Sequence, residues 1–405
     1  METFIARQPI FDPKTSVYGY ELLYRSGAEN FYDGSNLDAA TAQTIVNSYL
    51  FPGSNLIEGK FAFINFTRST LIRDCAFLLP RESTIIEVLE SVHPDPQVID
   101  ACRRAKEAGY RIALDDYVQD DDREALTDFA ELIKVDFLAT SQKEQLQLAQ
   151  RFTARGKSLC AEKVETWEVA KQAAEMGYTY FQGYFFGKPV ILKGHDIPAS
   201  KLHYLKLIRE LHQPEVQFRK LEELISEDLS LTYKLLRYLN SAAFGLRREI
   251  GSVRQALVQL GEQGVRKWIT LIALVQVSKG CVNEIVNRAL IRASMCESIA
   301  TSIGLRSGSE DLYLVGLFSC LDAVLGRSIS EILEELSITR EIKNALLGEH
   351  GLFGEIFKCA LAYESGNWEE ACERAAKLRV EDTQLPDMYR TAVNHASEVF
   401  KLALA

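Results

Sequence analysis

Asp115 and Asp116 stand side by side where the apolar run "YRIAL" ends, and three residues later three more aspartates follow in a row. The same punctuation recurs along the first half of the chain. Asn65 follows "FAFI", Glu87 follows "STII", Glu162 follows "SLCA" and Gln182 follows "YTYF", while Lys134 and Asp136 sit in "LIKVD". Carboxylates that converge repel one another unless a cation joins them, and an all-oxygen donor set suits a hard divalent ion such as Mg²⁺ or Mn²⁺. The plainer explanation is that strands end in polar residues because loops begin there. That accounts for one or two positions and less readily for a series of them. Asp120, Asp121 and Asp122 belong to a different class. They precede "REALTDFAEL" and read as loop acids or as charges favouring a helix N-terminus, so Asp121→Asn is expected to change little.

The elements that must position these residues alternate in type. Up to about residue 190, β-like runs such as "FAFINF", "STIIEV" and "LIKVDFL" are separated by amphipathic stretches such as "PQVIDACRRAKEAG" and "TWEVAKQAAEMG", each closed by a glycine. This alternation predicts parallel βαβ units. Without a G-x-G-x-x-G turn, a TIM-like (β/α) barrel is favoured over a dinucleotide-binding sheet. In such a barrel the strand ends share one face, which is where active sites lie. "GKPVILKGHDIPAS" (187–200) reads as a linker. Beyond it the texture turns helical. Leu231, Leu235 and Leu239 fall on one stripe, Ser252 and Gly261 are placed as cap and stop of a helix, and Ser328 with Glu331 has capping-box spacing. The fold class is therefore α/β plus all-α, with a barrel over 1–190 and a helical domain of about ten helices over 197–405.

Composition narrows the function classes. A formal net charge of −10 over 405 residues argues against nucleic-acid binding. The longest apolar stretch, "WITLIALVQV", is too short to span a bilayer, so no membrane association is expected. Eight scattered cysteines without a C-x-x-C pair read as free thiols in a reducing cytoplasm. The one His–Asp dipeptide, His195–Asp196, lies in the linker. The histidines beyond it, His203, His212, His350 and His395, form no metal-binding pattern.

Taken together, the motifs resemble a known pair of families. "RQPIFD", "GYELLYR", "FINFT", "IEVLE", "LDDY", "IKVD", "AEKVE" and "QGYFFGKP", in that order, resemble the EAL cyclic di-GMP phosphodiesterases. "LISEDLSLTYKLLRYLNSAAFG" and "SVRQALVQLGEQGVRKWITL" resemble the HDOD domain. The chain thus resembles the EAL–HDOD two-domain bacterial signalling proteins. The resemblance implies that Glu21, Asn65, Glu87 and Asp115 ligate one metal, Mg²⁺ or Mn²⁺, and that Asp115 and Asp116 contribute to a second. It implies Glu162 as general base, Lys134 as the group neutralising phosphate charge or holding the attacking water, and Gln182 as an orienting residue. Arg25, Gln8 and Pro189 would bind substrate, and Glu165 would ligate or support a metal. Cyclic di-GMP is the implied small-molecule partner. An unidentified protein would dock on the helical domain, and a homodimer stays open.

The chain departs from the family pattern at the same strand ends. "DDYVQDDD" lacks the family's glycines, Leu89 replaces the threonine of E-x-T-E while Glu90 keeps its acid, Lys163 replaces the glycine of A-E-G-V-E, and Leu22 replaces the alanine of E-A-L. The expectation is cyclic di-GMP binding with slow hydrolysis, faster with Mn²⁺. The alternative is an inactive EAL-like sensor or scaffold that acts through protein contacts.

Overall fold

The computed structural model describes residues 3–26, 57–183, 217–226, 228–240, 250–277, 283–305, 308–325, 327–336 and 338–404, with Leu207 and Leu211 besides. Its eight strands are β1 (Thr3–Phe11), β2 (Val17–Ser26), β3 (Phe61–Phe66), β4 (Thr84–Val88), β5 (Arg111–Leu114), β6 (Leu132–Asp136), β7 (Ser158–Glu162) and β8 (Tyr180–Gln182). They close in chain order into a barrel.

The barrel is not wholly parallel. β1 runs antiparallel to both β2 and β8, while β2 to β8 pair in parallel. The segment between β1 and β2 is too short for a crossover helix and forms a hairpin instead. Asp12 Oδ1 accepts from the backbone N–H groups of Lys14 (2.8 Å) and Ser16 (2.9 Å), and Thr15 takes a positive φ of 61°. This hairpin is where the expected run of βαβ units fails.

The expected helices pack outside the later strands. Asp95 caps Pro96–Glu107 by accepting from Gln97 and Val98, and Thr166 caps Trp167–Met176, which ends on Gly177 at φ 109°. Val98, Ala101, Cys102 and Ala105 form the buried stripe of the first of these helices.

The chain divides into two compact units. One holds residues 1–188 with Ala362–Glu373 and Glu381–Arg390; the other holds residues 189–361 with Arg374–Val380 and Thr391–Ala405. Two C-terminal segments thus group with the barrel rather than with the rest of the helical half. In that half, among the described residues, every element is helical. Leu231, Leu235 and Leu239 are buried along one face of Leu229–Leu239. Ser252 and Ser328 accept from the backbone of Gln255 and Glu331, as N-caps do. Gly261 ends the first of two helices within Val253–Val277, as expected. At φ 66°, ψ 175° it leaves the helical region, and a second helix begins directly after it. Among the described residues no helix is long and apolar enough to cross a membrane.

Candidate active site at the barrel mouth

Period-two geometry builds the site. One inward layer of the barrel is apolar: Ile10, Phe63, Ile85, Ala113, Leu132 and Cys160, backed by Tyr18, Phe61 and Tyr180. Two residues further along each parallel strand the side chain points to the same interior, one layer higher. Those residues are Asn65 after Phe63, Glu87 after Ile85, Asp115 after Ala113, Lys134 after Leu132, Glu162 after Cys160 and Gln182 after Tyr180. β1 runs the other way, so its member of the polar layer lies two residues before Ile10, at Gln8. Asn65 stands opposite Glu87 and Gln8 opposite Glu21; Gln182 stands opposite Ile10 and reaches Gln8 through its side chain.

Lys134 stands at the centre of this layer and is fully buried. Its Nζ contacts Glu87 Oε1 and lies 2.7 Å from Glu162 Oε1, 3.1 Å from Asp115 Oδ1 and 3.4 Å from Glu21 Oε2. Gln182 Nε2 donates to Glu21 Oε2 at 2.6 Å and to Gln8 Oε1 at 3.1 Å, and Asn65 Nδ2 donates to Glu21 Oε1 at 3.4 Å. One ammonium therefore faces four carboxylates.

The electrostatics follow from that imbalance. Burial works against the Lys134 charge, but Asp115, Glu162, Glu21 and Glu87 outweigh it and raise the ammonium well above the ordinary lysine range. Burial pushes the Glu87 and Glu162 carboxyls well above the usual carboxylate range; Lys134 opposes this, and the neighbouring acids add to it. Burial also raises Asp115, but there Lys134, hydrogen bonds from Glu87 and Lys134, and the Arg123 charge win, so its carboxyl ends lower than usual.

Two sets of acids lie close enough to hold an ion: Glu21, Glu87 and Glu162 in one, Asp115, Asp116 and Glu162 in the other, with ligand oxygens within 4.8 Å of one another in each. Glu162 belongs to both. Glu87 Oε2 and Asp116 Oδ1 are buried and lack hydrogen-bond partners, as oxygens reserved for a cation would. The residues fit a hard divalent ion.

Lys163 flanks the second set. It follows Glu162 with φ 53°, a left-handed conformation that costs a non-glycine residue roughly 1 kcal/mol or more. Its Nζ contacts Asp136 Oδ2 and lies 3.8 Å from Asp116 Oδ2. Gly183, at the end of β8, tolerates no side chain: its φ is 145°, and a Cβ would lie 2.1 Å from the Val164 carbonyl oxygen.

Asp121 requires a correction. It is not a solvated loop acid, since its side chain is 5% exposed and pairs with Arg123, itself 1% exposed. Arg123 Nη2 lies 2.6 Å from Asp121 Oδ2 and Nε 2.9 Å from Oδ1, while Nη2 and Nη1 also donate to the backbone carbonyls of Asp115 (2.8 Å) and Val88 (3.3 Å). Asp121 also caps the short 3₁₀ turn Asp122–Leu126. Glu90, the acid that closes "IEVLE", is exposed. The glycine-free loop is held by the Asp121–Arg123 pair and by the Tyr117 hydroxyl, which donates to Glu124 at 2.9 Å. Arg123 stands outside the strand-end series, whereas Asp136 belongs to it and anchors Lys163.

The other expected residues fall as follows. Glu165 is exposed and outside both acid sets. Arg25 lies opposite Phe4 in β2, but its side chain, like Pro189 and the His195–Asp196 pair, falls outside the described residues.

Comparison with known proteins adds context to this geometry. A family model described as EAL domain matches residues 64–189, and one described as HDOD domain matches residues 197–344. The uncharacterized protein YuxH of Bacillus subtilis (strain 168) is 37% identical over 391 residues, covering 94% of this chain and 95% of that protein. The cyclic di-GMP phosphodiesterase CdgJ of Vibrio cholerae serotype O1 is 35% identical over 380 residues, covering 93% and 88%. Among solved structures, the Bacillus subtilis YKUI protein, which has an EAL domain and was crystallised with c-di-GMP and calcium, is 20% identical with a TM-score of 0.37, over 45% of this chain and 54% of that one.

Proposed function

This chain belongs to the EAL–HDOD family of two-domain proteins, and from that premise we propose that its barrel binds cyclic di-GMP and hydrolyses it, with divalent cations, to the linear dinucleotide. The observation that carries the reading is the pair of adjoining acid sets that share Glu162. That the relative CdgJ is a cyclic di-GMP phosphodiesterase supports the choice of substrate.

In this reading Glu21, Asn65, Glu87 and Asp115 hold one ion, and Asp115 and Asp116, with Glu162, a second. Bound there, Mg²⁺ or Mn²⁺ would neutralise the phosphodiester and favour ionisation of the attacking water. The chain's own residues do the rest. Glu162, whose burial raises its proton affinity, accepts the water's proton as general base. Lys134 keeps the acids from repelling one another apart and offsets charge on the phosphate. Gln182 fixes Glu21 through its 2.6 Å hydrogen bond. Gln8, Arg25 and Pro189 contact the nucleotide. Because Lys163 already leans on Asp116, turnover is slow and faster with Mn²⁺, whose coordination is less exacting than that of Mg²⁺.

The same contact favours a second reading, in which the barrel binds the nucleotide without opening it. In both, the HDOD half conveys the result by docking a protein partner. Incubation of the full chain with cyclic di-GMP and Mn²⁺, followed by chromatography, tests the proposal. Linear dinucleotide from the wild type and none from Glu162→Gln is expected; intact cyclic di-GMP with stoichiometric wild-type protein overturns the hydrolase.

A further inference from the structure

We propose that Lys163 is a tethered cation that occupies one side of the second acid set and thereby sets how tightly that set takes a second divalent ion; the inference rests on the reading of the mouth as a metal site. Lys163 is not placed like an incidental surface lysine. Its backbone holds a conformation that glycine adopts freely and lysine does not, with φ 53° directly after Glu162.

The ammonium is also anchored. Asp136 Oδ2 contacts it, and Asp136 is itself fixed because its Oδ1 accepts from the backbone N–H groups of Leu138 (2.7 Å) and Ala139 (3.0 Å). From that anchor Nζ reaches Asp116 Oδ2 at 3.8 Å, while Asp116 Oδ1 stays buried and unpartnered. Lys134 contacts Asp115 and Glu162 of the second set as well as the first set, and Lys163 faces the remaining acid, Asp116.

The two lysines differ in consequence. Lys134 touches all three acids of the first set. Lys163 faces only Asp116, whose Oδ1 stays unpartnered, so an ion that enters the second set there meets a second positive charge beside the one Lys134 already places on Asp115 and Glu162. At an effective dielectric typical of a partly exposed pair, that repulsion is large enough to weaken binding by about tenfold or more. With its side chain 51% exposed, Lys163 is screened by salt, so the effect shrinks as ionic strength rises. Occupancy of the second site, and with it turnover, would follow the divalent-ion concentration rather than being saturated.

The test is a Mn²⁺ titration of the full-length chain at low ionic strength, with free Mn²⁺ followed by paramagnetic resonance and folding checked by circular dichroism. Wild type should bind one ion tightly and a second weakly. Lys163→Gln, which removes the charge but keeps the strained backbone, should tighten the second ion by about tenfold. Lys163→Gly should do the same, and Lys163→Arg should match wild type. Two equally tight ions in wild type, or a tightening seen in Lys163→Gly but not in Lys163→Gln, overturns the proposal. Failure of every variant, wild type included, to bind any Mn²⁺ overturns the metal site itself and this inference with it. A tight first ion in all variants with an unchanged second sinks the Lys163 claim alone.

Discussion

Arg123 and Asp121 form a buried, two-pronged ion pair beneath the loop that follows the Asp115–Asp116 dyad, with Nη2 2.6 Å from Oδ2 and Nε 2.9 Å from Oδ1. The same guanidinium donates to the backbone carbonyls of Val88 and Asp115, the residues next to Glu87 on β4 and at the end of β5. One side chain therefore ties together two strand ends that carry site acids. It does so where the loop has no glycine to shape it.

Breaking that pair should be costly, because it leaves a buried charge without its partner. Asp121→Ala is expected to destabilise the barrel by roughly 3 to 5 kcal/mol. Urea denaturation read by fluorescence checks this, and Mn²⁺ affinity measured on the folded fraction should fall as well. A change within 0.5 kcal/mol would return Asp121 to the class of solvated loop acids.

Lys134→Met removes the only cation in contact with Glu21, Glu87 and Glu162 among the described residues. In a chelator the variant should melt well below wild type, since the acids then repel unopposed. Mn²⁺ should restore more stability to the variant than to wild type, because the ion replaces the missing charge. Equal Mn²⁺ increments in the two proteins would mean that the acid cluster does not take the ion.

The pH dependence has a defined sign. Burial first, and then the Asp115 and Glu21 charges, hold the Glu162 carboxyl well above its ordinary range against the pull of Lys134. The fold thus prefers the protonated acid, so this group's contribution to metal-free stability is present at low pH and lost as pH rises through the raised value. A cation takes the ionised form. The increment in melting temperature given by Mn²⁺ should therefore grow from pH 6 to pH 8, and a flat profile would contradict the placement of the ion at Glu162.

In the helical half, Gly316 lies where Ser309–Phe318 meets Asn283–Ser302. A Cβ there would sit 2.2 Å from the Ala293 backbone nitrogen and 2.3 Å from its Cα, which backbone cannot relieve cheaply. Gly316→Ala should destabilise that half by about 1 to 3 kcal/mol or more, measured by thermal melting, while leaving Mn²⁺ binding at the barrel unchanged.

Much of the site was legible because a strand repeats every two residues. A polar residue two positions beyond an inward apolar one, as in Phe63–Asn65, Ile85–Glu87 and Cys160–Glu162, marks one face and one height in the barrel. The β1–β2 hairpin was not read as strands, because attention to alternating strands and helices passes over two strands joined by a tight turn. Arg123 was hidden for another reason. Its acid partner is two residues away in sequence, but its value comes from the Val88 carbonyl, supplied by a neighbouring strand end. Lys163 was visible as a replaced glycine, yet its anchor on Asp136 is a contact between β6 and the residue after β7, which no local pattern encodes. Gly261 was legible from its residue type, because a positive φ is one that glycine adopts at little cost, and it closes one helix before the next begins.

The most direct test of the central claim is a single-turnover reaction of the full chain with cyclic di-GMP and Mn²⁺ in water labelled with heavy oxygen, analysed by mass spectrometry. Attack of water at phosphorus predicts one labelled oxygen in the terminal phosphate of the linear dinucleotide, with no product from Glu162→Gln. Unopened cyclic di-GMP, or a linear product carrying no label, would contradict it.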